Sequence, residues 1–123
     1  MKTTRIVFTD AQQAFRHKLS DYLKTIPEIK IVTETSSGKE ISHLISTYQP
    51  DILLTNRQLP DTDGLTLIRE VARRHPAVAM LVLENGTESN TEEEIWAVIQ
   101  AGAKGYVSKH CSQAILAYYQ IEE

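Results

Sequence analysis

Cysteine, long apolar runs and surplus basic charge are what this sequence lacks. One cysteine, Cys111, in 123 residues excludes an internal disulfide and a multi-cysteine metal site, and it fits a reducing compartment. The longest apolar run, Ala77 to Leu83, falls far short of the roughly 20 residues of a membrane-spanning helix. Met1-Lys2-Thr3-Thr4-Arg5 leads straight into a strand pattern without a signal-peptide core, so a cytoplasmic protein with no membrane contact is expected. Thirteen basic against 16 acidic side chains leave a formal net charge of −3. That is not the electrostatic footprint of a nucleic-acid-binding domain, so DNA contact is expected only through a separate domain or partner. His17, His43, His75 and His110 fall in different segments and show no metal-ligand spacing.

What is present is an alternation. Short β-rich runs, Arg5–Phe8, Ile29–Thr33, Ile52–Thr55, Ala79–Leu83 and Gly105–Ser108, are separated by stretches of helical period. Repeated βα units imply one α/β domain over residues 1–123 with a doubly wound parallel sheet. Helix one is expected to bury Phe15, Leu19, Tyr22, Leu23 and Ile26, and helix two Ile41, Leu44, Ile45 and Tyr48. Helix three starts at an Asp63 cap and is expected to bury Leu65, Ile68 and Ala72. Thr91-Glu92-Glu93-Glu94 forms a capping box for helix four, which turns Ile95, Val98 and Ile99 to the sheet. Ser112 caps helix five, with Ile115, Leu116 and Tyr119 behind it.

In such a sheet the functional crevice lies at the carboxyl ends of the strands. That rule selects Thr9-Asp10-Ala11, Asn56-Arg57-Gln58 and Glu84-Asn85, with Lys109 on the rim.

Two segments flank these positions: Pro50-Asp51-Ile52-Leu53-Leu54 running on to Leu59-Pro60-Asp61-Thr62-Asp63-Gly64, and Ala101-Gly102-Ala103-Lys104-Gly105-Tyr106-Val107-Ser108-Lys109. In this order, over nearly the whole chain, they resemble the receiver domain of response regulators, in the form found on LuxR/NarL-type transcription factors. The resemblance implies a flavodoxin-like (βα)5 fold with strand order 2-1-3-4-5. It also implies a phosphoryl-accepting aspartate after strand three, an acidic pair after strand one that holds Mg²⁺, a Thr or Ser after strand four and a Lys after strand five.

The sequence departs from that pattern at most of these points. Asn56 stands at the acceptor position, and a neutral carboxamide cannot form an acyl phosphate. Of the acidic pair only Asp10 remains, beside Ala11 or, in a register shifted by one, Thr9. Asp10 is the one residual metal candidate, so no cofactor and no Mg²⁺ are expected. Glu84 replaces the hydroxyl residue, and a pairing with the retained Lys109 would hold the site in one state. Loss at several positions points to a naturally degenerate site rather than one introduced change.

Plainer roles stand beside these. Asp10 can cap helix one, Glu84 can face solvent, and Lys109 can cover the sheet edge with its stem. Asp61 reads as a turn residue, Gly64 as supplying turn geometry, and Cys111 beside His110 as an ordinary loop residue. Trp96, Tyr106 and Tyr118 are candidates for an exposed aromatic interface, or else core and scattered surface.

The function expected is a non-enzymatic, phosphorylation-independent receiver that dimerises or docks a protein partner to control an output domain absent from this chain. One rival is a working phosphorelay receiver with another acceptor. A second is a small flavodoxin-like ligand-binding protein, for which Thr9-Asp10-Ala11-Gln12-Gln13 lacks a phosphate-cradling loop.

Overall fold

The computed structural model describes residues 3–84 and 92–108. Its elements are β1 (Thr4–Thr9), α1 (Gln13–Leu23), β2 (Ile29–Thr35), a 3₁₀ turn (Gly38–Glu40), α2 (Ile41–Tyr48), β3 (Ile52–Asn56), the short strands β4 (Gln58–Leu59) and β5 (Thr62–Asp63), α3 (Gly64–Arg74), β6 (Ala79–Glu84), α4 (Glu92–Ala101) and β7 (Gly105–Ser108). Five parallel strands form one sheet in the order β2-β1-β3-β6-β7. This is the expected 2-1-3-4-5 order once the β4–β5 hairpin, a separate antiparallel pair, is set aside.

Side chains of the central strands alternate between two apolar layers, as the period of two requires. Ile6, Phe8, Ile52, Leu54, Leu81 and Leu83 pack with Leu19 and Leu23 of α1. Val7, Leu53, Met80 and Val82 pack on the other face with Ile41 and Ile45 of α2, Leu67, Ile68 and Val71 of α3, and Val98 of α4. Burial on both faces explains why these strands read as continuous apolar runs.

Several helix faces differ from expectation. In α1, Leu19 and Leu23 are buried while Phe15 and Tyr22 are only partly so, and Ile26 packs from beyond the helix end. Tyr48 is exposed, because it is the last residue of α2 and the chain then turns through Gln49 in the left-handed region (φ 48°). In α3 the buried stripe is Leu67, Ile68 and Val71, with Leu65 and Ala72 at its margins. Asp63 caps α3 as expected, accepting from the Thr66 backbone N–H at 3.0 Å and its hydroxyl at 2.8 Å. Gly64 has no positive φ and does not supply turn geometry; it permits close approach, since a Cβ there would lie 1.9 Å from the Arg57 carbonyl oxygen.

Thr91 of the capping box, Asn85, Lys109, His110, Cys111, Ser112, Tyr118 and the whole of helix five lie outside the described residues.

Candidate functional site

Each main strand preceding the crevice runs one residue further than its pattern suggested, and these extra residues are Thr9, Asn56 and Glu84. Asp10 follows directly on β1. The register pairs Thr9 with Thr55, and Asn56 with Leu83. The sheet therefore delivers Asp10, Asn56 and Glu84 to one edge, and all three are buried.

Asp10 and Asn56 meet. The Asn56 side-chain N–H donates to Asp10 Oδ2 at 3.2 Å, and its carbonyl accepts from the Gln58 backbone N–H at 2.6 Å. Asp10 Oδ1 accepts from the Gln12 backbone N–H at 2.8 Å, just before α1 begins. One carboxylate thus holds the turn before α1 and the side chain at the end of β3, while the N-cap of α1, Gln12, has no side-chain capping bond, so Asp10 is not the cap of the helix. Asp10 is the residue that reaches Asn56; Thr9 is buried with its hydroxyl lacking a hydrogen-bond partner, and Ala11 is exposed.

Charged residues that no sequence period announced surround this edge. The Arg16 Nη1 donates to the Asp10 carbonyl at 2.5 Å while its Nε pairs with Glu34 at 3.2 Å. Glu34 also accepts from the Ser20 hydroxyl at 2.7 Å. Arg57, next after Asn56, pairs with Glu94 of α4 at 3.4 Å and hydrogen-bonds the Tyr106 hydroxyl of β7. Burial pushes the Tyr106 phenol above its ordinary value, and Glu84 and Glu94 push the same way while Arg57 opposes them. Tyr106 is half-buried against the α3–α4 layer, whereas Trp96 is exposed.

Asp61 is more than a turn residue. Its carboxylate accepts from the Ser37 hydroxyl at 2.5 Å and the Gly38 backbone N–H at 2.8 Å, tying the β3–α3 loop to the start of the 3₁₀ turn. Those bonds, the Ser37 hydroxyl first, hold its pKa down at about 2.

Mg²⁺ prefers one or two carboxylates with open oxygen positions. Here Asp10, the carboxylate bonded to residue 56, faces an amide N–H, a donor where a cation would need a lone pair. Among the described residues no group of three or more His, Cys, Asp or Glu side chains gathers.

A family model described as the response regulator receiver domain matches residues 6–119. The chain belongs to the response regulator receiver family. Such receivers are modules of two-component response regulators. The chain is 30% identical over 105 residues to the transcriptional regulatory protein DegU of Brevibacillus brevis, covering 85% of this chain and 43% of that protein. It is 28% identical over 115 residues to the response regulator VraR of Staphylococcus aureus, covering 94% and 54%. The signal receiver domain of the NarL response regulator from Mycobacterium tuberculosis superposes with a TM-score of 0.88 at 20% identity, covering 99% of this chain and 96% of that one. The chain spans about half the length, or less, of the curated relatives it matches. Among the described residues no helix is long and apolar enough to cross a membrane.

Proposed function

We propose that this receiver signals by protein contact without accepting a phosphoryl group on an aspartate. The observation that carries this reading is the bonding of Asn56. At the end of β3, where the family resemblance puts the acceptor, the buried amide uses its donor on Asp10 and its acceptor on Gln58. A carboxamide does not attack phosphorus, and its N–H gives Asp10 the positive partner that a metal would otherwise supply. Glu84, buried at the end of β6, brings a further negative charge to the edge that would otherwise receive a phosphoryl group. A pairing of Glu84 with Lys109 would complete a site fixed in one state. Binding, not catalysis, is the activity assigned, with a homodimer or another protein as partner in the cytoplasm. Any DNA contact would be made by another domain or by a partner protein.

The test is intact mass after incubation with acetyl phosphate and Mg²⁺, beside the Asn56→Asp variant. The wild type is expected to gain no phosphoryl mass. Label on the variant alone isolates residue 56 as the decisive change. A stoichiometric adduct on the wild type overturns the reading and favours a working receiver with another acceptor.

A further inference from the structure

A cleft opens at the amino ends of β3 and β6, the end of the sheet away from Asp10 and Asn56. The chain leaves α2 through Gln49 and enters β3 through Pro50 and Asp51, while α3 ends at Arg74 and the chain reaches β6 through Pro76 to Val78. These two stretches are the walls of a cavity of about 600 Å³, within the ordinary size range of small-molecule sites. The Ala79 backbone N–H donates to the Asp51 carbonyl at 3.0 Å and joins the walls where the two strands begin.

The lining carries one carboxylate, Asp51, and one guanidinium, Arg74, each from a different wall. Between them lies apolar surface: Ile45 and Pro50 are buried, and Pro76 and Val78 extend it. Asp51 uses Oδ2 on the Arg5 backbone N–H at 2.9 Å, and its Oδ1 makes no hydrogen bond among the described residues. The Arg5 guanidinium is engaged on the Tyr48 carbonyl at 2.5 Å rather than on Asp51. Arg74 uses Nε on Glu70 at 3.2 Å, and its two terminal nitrogens make no bond among the described residues. No salt bridge joins Asp51 to Arg74 among the described residues, so each keeps an open hydrogen-bonding position at the cleft.

We propose that this cleft binds a small zwitterion of the apolar α-amino acid class, with its ammonium on Asp51, its carboxylate on Arg74 and its side chain over Ile45, Pro50, Pro76 and Val78. An anion alone would meet Asp51 and a cation alone would meet Arg74, so the two walls match opposite charges carried on one small body. The terminal nitrogens of a guanidinium suit a carboxylate, and the ammonium supplies the donor that Asp51 Oδ1 lacks. Burying an aliphatic or aromatic side chain on the apolar surface adds the larger favourable contribution. Both charged groups are partly exposed, so binding is modest and reversible. The site goes beyond the reading of the chain as a phosphorylation-independent module. It shares no residue with the Asp10–Asn56 edge, so the two assignments fail separately.

Isothermal titration calorimetry of the 123-residue chain with L-leucine, L-methionine and L-phenylalanine should show a single site for at least one of them, with a Kd on the order of 0.1–1 mM. For the tightest of the three, its amide, its des-amino acid and glycine should each bind roughly five- to tenfold more weakly. Arg74→Gln should weaken the amino acid by a similar factor and leave the amide, which has no carboxylate, unaffected. Asp51→Asn keeps an acceptor for the Arg5 N–H and should weaken the amino acid while leaving the des-amino acid unaffected. The Arg74 side chain is about half exposed, so its replacement tests the site without threatening the fold. No binding of any of the three at about 10 mM overturns the proposal. So does glycine binding as well as the larger amino acids, or affinity that survives both substitutions.

Discussion

The side-chain amide of Asn56 donates to Asp10 Oδ2 across 3.2 Å, with both residues sealed from solvent. An aspartate at position 56 would replace that donor with a second carboxylate. Two unit charges about 4 Å apart interact by roughly 4 kcal/mol even at an effective dielectric of about 20, so one carboxyl must keep its proton or a cation must enter. Asn56→Asp should therefore lose about 2 kcal/mol or more of stability at neutral pH without Mg²⁺. Millimolar Mg²⁺ should restore it, while the wild-type midpoint stays put. Urea denaturation with and without Mg²⁺ measures both. A variant as stable as the wild type in metal-free buffer would show that the contact is not held as described.

The closeness of Gly64 to the Arg57 carbonyl gives a second expectation. An added Cβ would sit 1.9 Å from that oxygen, and the atom in the way is backbone, fixed by the Arg57 N–H bond to the Leu83 carbonyl at 2.9 Å. Gly64→Ala should cost about 3 kcal/mol or more, at the upper end for overpacking, because the clash cannot be relieved by a rotamer change. Thermal unfolding followed by circular dichroism checks this, and a loss below about 1 kcal/mol would mean that the loop yields freely.

Asp61 makes the fold sensitive to acid in a defined direction. Its folded pKa of about 2 lies below the ordinary value of 3.8, so folding favours its ionised form. The stability this provides is fully present above the ordinary value and is lost as pH falls from about 4 towards 2. Asp61→Asn should be less stable than the wild type at pH 6, and the gap should close over that acid window. Asp63, also lowered, chiefly by the Thr66 hydroxyl, titrates in the same sense, so Asp63→Asn is the companion variant that separates the two contributions. A stability gap independent of pH would refute the role of the Asp61 charge.

Which parts of this were legible in the sequence follows from the range of the interactions. Strands β1, β3 and β6 were, because apolar residues buried on both faces leave a continuous run that needs no partner to be seen. The α3 face was not. Leu65, Leu67, Ile68, Val71 and Ala72 contain two overlapping stripes, and only packing against α4 and the sheet selects Leu67, Ile68 and Val71. Asp10 and Asn56 could be placed at one edge by topology, but not joined. Their bond depends on each strand running one residue further, and strand ends are the least determined part of a pattern. Arg16 with Glu34 and Arg57 with Glu94 were invisible, since pairs 18 and 37 residues apart leave no periodic trace.

Arg57 joins the end of β3 to α4 and β7, and its removal should be read at Tyr106 rather than in global stability. The Arg57–Glu94 pair is partly exposed, 24% and 43%, so it contributes only about 0–1 kcal/mol. At Tyr106 the balance is different. Burial already disfavours the phenolate, Glu84 and Glu94 disfavour it further, and the Arg57 guanidinium alone acts in the opposite direction through its charge and hydrogen bond. Arg57→Met keeps most of the packing volume and removes the cation, leaving Glu94 unbalanced beside the ring. The Tyr106 pKa should therefore rise above its already raised wild-type position. Ultraviolet difference titration, with Tyr106→Phe on each background to isolate this ring from the other four tyrosines, measures the change. A fall in the Tyr106 pKa, or none at all, would show that the guanidinium does not reach the hydroxyl and that β3 and β7 are not coupled through Arg57.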